Sequence, residues 1–148
     1  MAITTCLTTS FKQECLQGIH DFETSGGDTI KIALIKVGAG SYGPSTANYS
    51  ALTGASDEVA SGGGYTTGGA TITVSNVTSS GTTAWVSFSN VSWSSATFST
   101  IGALVYNSSK SNKSIALFDF GGTQSCVSST FQIVMPADTS STAIIRIS

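Results

Sequence analysis

At 148 residues the chain has the length of one ordinary domain, enough to bury a core without disulfide staples. Charged residues make up 9% of it and hydrophobic residues 40%, with a formal net charge of −2 and a mean hydropathy of +0.22. That balance excludes intrinsic disorder and leaves Ser, Thr and Gly to supply the polar surface, which suits a protein that works in an assembly.

The opening Met-Ala-Ile-Thr-Thr-Cys has no basic region followed by an apolar stretch, so secretion by that route is not expected. No window approaches the roughly 18 apolar residues of a spanning helix, so no membrane partner is expected either. Next comes the one stretch with helical periodicity: Phe11, Cys15, Ile19 and Phe22 draw a single apolar stripe. Ser10 followed by Gln13 fits a capping box, and the breakers Ser25 to Asp28 close the segment, so a short helix is predicted over about 11–20.

From Thr29 the pattern becomes short β-branched and aromatic runs separated by Gly, Ser, Asn and Pro. Strands are predicted over 30–37, 70–77, 83–89, 98–106, 114–120, 130–135 and 142–147. The expected fold is all-β: an antiparallel two-sheet β-sandwich, with a jelly roll as one variant, carrying one short N-terminal helix. Residues 1–148 are read as a single domain, with an arm and helix over 1–28 and the sandwich over 29–148. Within the sandwich, 38–69 is a long glycine-rich excursion touched only by Tyr49, Leu52 and Val59. A loop of that length is expected to be a contact loop that orders against a partner.

Chemistry is hard to find. His20 is the sole histidine; neighbouring Asp21 and Glu23 do not complete an acid–base site, and it reads as a polar residue at a helix end. No Gly-x-Ser-x-Gly elbow is present. Asp57 and Glu58 are the sole adjacent carboxylates and should point apart, which argues against a glycosidase pair. Asp119 before Gly121-Gly122 reads as a turn cap. The glycine strings 62–64 and 68–69 lack the Lys-Ser/Thr of a phosphate loop. Cys6, Cys15 and Cys126 are odd in number, have no metal-ligand spacing and are expected as reduced, mostly buried thiols. The chain is therefore read as non-enzymatic, with no cofactor and no metal. Six scattered cations, Lys12, Lys31, Lys36, Lys110, Lys113 and Arg146, form no basic run, so nucleic acid is not an expected partner. All five asparagines, Asn48, Asn76, Asn90, Asn107 and Asn112, precede Ser or Thr by two; they read as polar pairs in strands and turns.

Several longer stretches, SFKQECLQGIHDF, IKIALIKV, YSALTGASDEVASGGGYTTGGATIT, ATFSTIGALVYNSSKSNKSIALFDFGG and STFQIVMPADTSSTAIIRIS, resemble a group of small tailed-bacteriophage virion proteins. The resemblance spans nearly the whole chain and is most specific at 58–69, 102–107 and 144–147. It implies a structural protein of the particle, assembled in the host cytoplasm, with a capsid decoration (cement) role bridging the major capsid protein and copies of itself. Two alternatives stand beside it. One is a tail or tail-fibre component; the other is a carbohydrate-binding module using Trp85 and Trp93 with Tyr42, Tyr49 and Tyr65 as a stacking platform. For the assembly role, the expected interface anchors are Phe11, Phe22, Tyr42, Tyr49, Leu52 and Tyr65.

Overall fold

The computed structural model describes residues 2–148. The described residues form eight strands in two antiparallel sheets. In chain order they are β1 (Cys6–Leu7), β2 (Ile30–Lys36), β3 (Ala70–Ile72), β4 (Val74–Ser80), β5 (Thr83–Phe88), β6 (Val91–Asn107), β7 (Lys113–Ile133) and β8 (Ile145–Ile147). A five-stranded sheet has the order β1-β7-β6-β2-β3, and a three-stranded sheet has the order β4-β5-β8. The sandwich is therefore all-β as the alternation in the sequence requires, but its strands are divided five and three.

The helix α1 (Thr9–Leu16) is shorter than its apolar stripe predicts. Its N-cap is Thr8, whose Oγ1 accepts from the Phe11 amide, and not Ser10. The helix stops because Gly18 takes a left-handed φ of 66°, which carries Ile19, His20 and Phe22 out of the helical path. A second helix, the single turn α2 (Ser50–Gly54), lies inside the glycine-rich excursion. Three predicted strands are corrected by the ladders. The 70–77 run is split at Thr73 into β3 and β4, which belong to different sheets, while 114–120 and 130–135 are the two ends of one strand, β7.

Both faces of the larger sheet are covered. On one face Ile30, Ile32, Leu34, Val105 and Ile115 pack against Val86, Phe88 and Ile145 of the smaller sheet, the sandwich core proper. The opposite face presents Ala33, Ile35, Leu104 and Leu117, and it is covered by Ile3, Tyr42 and Leu52. Residues 38–58 thus form a third layer, and every β6 residue from Ile101 to Asn107 is buried as a result. The close seating needs glycine at Gly69, where φ is +69° and a Cβ would collide with the Ile32 carbonyl.

The β6–β7 hairpin dominates the molecule and is bent in its middle. Between the pairs Gly102↔Asp119 and Thr100↔Gln124, the single β6 residue Ile101 faces β7 residues 120–123. This wide bulge is made by Gly121 at φ 73°, with the Gly121 amide held by the Asp119 carboxylate at 2.9 Å. Asp119 is thus the turn cap that its position before two glycines predicts. The bend folds the far half of the hairpin over one end of the core, where Trp93 and Phe98 pack on Tyr65 and Phe131 packs on both of them.

Candidate functional site

The excursion over 38–69 is organised from within by two buried carboxylates. Asp57 accepts from the Gly40 amide at 2.9 Å and from the Tyr42 hydroxyl at 2.7 Å. Those donors, with Lys36 at 3.7 Å, hold its carboxyl below the ordinary aspartate value. Glu58 points the other way, as alternation demands, and accepts from Tyr49 at 2.5 Å, Tyr65 at 2.6 Å and the Gly68 amide at 2.7 Å. Burial together with the Glu58 charge pushes the Tyr106 phenol, stacked 4.5 Å from Tyr49, up to about 12. The hydroxyl of Tyr65 also accepts from the Leu34 amide, tying this layer to β2.

These contacts correct the expected interface. Phe11, Tyr42, Leu52 and Tyr65 are core residues, between 0% and 8% exposed, because each tyrosine hydroxyl finds a buried partner while its ring fills space on the sheet. Phe22 and Tyr49 are half-buried: Phe22 packs edge-on against Phe11 and Phe88, and Tyr49 stacks on Tyr106. The excursion is thus a packed layer and not a loop waiting for a partner. The sugar-stacking platform is removed by the same geometry, since Trp85 is 9% and Trp93 7% exposed. Trp85 donates its indole N–H to Asp138 at 2.6 Å, and that carboxylate also accepts from Ser87 and Asn76, pinning the segment before β8 onto the smaller sheet.

His20 lies beyond the helix, in a polar network between α1 and β6. Asn107 fixes the roles: its Oδ1 accepts the Ser109 and Lys110 amides, so its Nδ2 is the donor to Asp28 at 2.7 Å and to His20 Nδ1 at 2.9 Å. The His20 Nε2–H therefore donates to Glu14 at 2.8 Å. Both ring nitrogens are engaged, leaving neither to serve a nucleophile. Burial opposes the charge on Glu14, but hydrogen bonds from Lys113, at 2.6 Å, and His20 outweigh it and hold that carboxyl below its ordinary value. Among the described residues no group of three His, Cys, Asp or Glu is placed to hold a metal ion. The three cysteines are unpaired and half-buried rather than mostly buried, and burial pushes the Cys6 and Cys15 thiols up.

What remains is a surface that periodicity did not single out: the open flank of β7. β1 pairs β7 only at Ala116 and Leu117, and Thr5 Oγ1 takes the Asp119 amide. From Phe120 to Ile133 the strand is paired to β6 on one side alone. No charged residue occurs between Asp119 and Asp138. Val127 is 76% and Val134 70% exposed, while the outer face carries Ser92, Ser94 and Thr97. No signal in the sequence singles this flank out, since its 18-residue uncharged run is shorter than those over 37–56 and 59–109. Compared with known proteins, the chain matches no family model, no curated protein and no solved structure.

Proposed function

We propose that this chain is a structural protein of a bacteriophage particle, a capsid decoration protein that stabilises contacts between major capsid protein subunits. The observation that carries the reading is the long, uncharged flank of β7, a strand edge without the lysines or prolines by which monomeric proteins keep other chains away. The resemblance of five stretches to tailed-phage virion proteins supplies the setting, and the thinly charged surface is tolerable for a chain that spends its life assembled. Glu14, Asp57, Glu58 and His20 are spent on internal hydrogen bonds, so this polar chemistry serves the molecule's own rigidity. A rigid sandwich with an open strand edge suits a chain that works in an assembly.

The test is location. Cross-linking of purified particles of the encoding phage, followed by peptide mapping, should join lysines of this chain to the major capsid protein. Cross-links to tail proteins alone would replace the capsid assignment with the tail-component reading. Absence of the chain from washed particles would overturn both.

A further inference from the structure

We propose that the free edge of β7 pairs with the same edge of a second copy of this chain, forming a two-fold dimer whose larger sheets run continuously from one protomer into the other. The proposal holds whether or not the particle reading does, since it rests on the edge alone.

Three observations on the same segment converge. The first is backbone supply. Over 120–133 the outward-facing amides and carbonyls have no strand beside them, and a row of this length is a ready template for another strand. The second is a groove of mixed lining, apolar side chains with uncharged glutamines, beside that row. Phe120, Phe131, Ile133 and Val134, together with Gln124 and Gln132, line a cavity of about 380 Å³. It continues past Phe118 and Pro136 into a second of about 250 Å³, and then along β1 into a third of about 220 Å³. Side chains of an incoming strand would alternate between this groove and the Ser/Thr outer face.

The third observation selects the occupant. In a two-fold contact every residue of the edge meets the same segment running the other way, so residues near the axis lie close to their own copies. A charge there would repel itself. The edge holds none between Asp119 and Asp138, and its midpoint falls at Cys126 and Val127, a half-buried thiol and an exposed apolar side chain. Apolar groups near the ends match as well: antiparallel pairing about that midpoint sets Phe120 of one copy opposite Ile133 of the other. The part of the groove beside 124–134 offers no charged side chain to pair a charge on a foreign strand, and a second copy brings none. Ser128, at φ 48°, places a bulge in the edge, and the pairing is expected as two short ladders either side of it.

The experiment uses the full chain in solution without particles. Light scattering at about 100 µM, well above the micromolar dissociation constant of an ordinary small interface, should give twice the 15.0 kDa chain mass. Hydrogen exchange should then show amides of 120–133 gaining protection as concentration rises. Val127→Lys puts two ammonium groups beside the axis at a position already exposed; it should weaken the dimer at least tenfold with an unchanged circular dichroism spectrum, while Val127→Thr leaves it intact. A wild-type chain that stays monomeric at that concentration overturns the proposal. So does a dimer in which 120–133 gains no protection, or protection that appears only when capsid protein is added, because the edge would then serve a different chain.

Discussion

The two halves of the β6–β7 hairpin are made by the same two strands, yet they live in different surroundings. In the near half, 102–107 against 113–119, both faces are covered, one by the smaller sheet and the other by residues 38–58. The far half, 91–100 against 124–133, is covered on one face only, and its β7 side has no neighbour. Composition follows: the near half reads Gly-Ala-Leu-Val-Tyr, and the far half alternates Trp, Ala and Phe with Ser and Thr. The lesson is that strand pairing alone does not make a core. Layers do, and the far half has one fewer, which leaves it free for contact with another chain.

The largest expected effect tests that contrast directly. Leu104 is fully buried between the sheet and its third layer, so Leu104→Ala should cost about 3 kcal/mol through lost transfer energy and an unfilled cavity. Val127→Ala, in the far half at 76% exposure, should stay within about 0.5 kcal/mol. Urea titrations of the two variants measure the difference, and equal losses would mean that the halves are not distinct in packing.

A second variant should turn the near half into something like the far one. Glu58→Ala leaves the hydroxyls of Tyr49 and Tyr65 and the Gly68 amide without their acceptor, at a cost of about 2 kcal/mol. Its particular signature should be faster amide exchange over 40–58 and 102–106, with 124–133 unchanged. Uniform acceleration across the chain would mean that the third layer does not open on its own.

Acid should act on the same layer through Asp57. Its carboxyl is held by the Gly40 amide and the Tyr42 hydroxyl below the unfolded value near 3.8, so the unfolded chain binds its proton first as pH falls. The stabilisation is whole above about pH 4 and is lost as pH drops through the folded pKa. Thermal melts between pH 6 and 3 should show the decline, and Asp57→Asn should make the profile flatter. Glu14 and Asp28, also held low by partners after opposing burial, leave part of the slope in place.

How much of this was legible in the sequence depended on whether partners were near in the chain. Alternation in 30–37 and 83–89 located β2 and β5 almost to the residue, because each side chain's face is set by its own strand. The third layer was not legible. Tyr42, Tyr49 and Tyr65 in a glycine-rich stretch look like outward anchors, and only folding brings their hydroxyls onto Asp57 and Glu58. Gly121-Gly122 read as a break between strands for the related reason that a bulge and a turn use the same residues; the long ladder on both sides decides for the bulge. The open edge left no trace, because the longer uncharged runs over 37–56 and 59–109 belong largely to packed layers and absence of charge does not tell the two apart.

The smallest effect bears on how the far half keeps its shape while uncovered. Ser95 and Ser128 both sit at positive φ, 51° and 48°, on opposite strands beside the shifts in register around Ala96. A left-handed backbone costs a residue with a Cβ roughly 1–2 kcal/mol, and glycine avoids that cost but adds freedom to the unfolded chain, which takes back about 0.5–1 kcal/mol. The Ser128 amide donates to Thr97 Oγ1 at 2.9 Å, and this bond does not involve the serine side chain, so it survives substitution. Ser128→Gly should therefore stabilise the chain by about 0.5 kcal/mol, raising Tm by about 1–2 °C in calorimetry. The near half offers the control: Gly102, whose Cβ would strike the Phe118 carbonyl, should lose far more on change to Ala than Ser128→Gly gains. A Tm that falls with Ser128→Gly would mean that the serine hydroxyl, and not the backbone turn, is what the bulge needs.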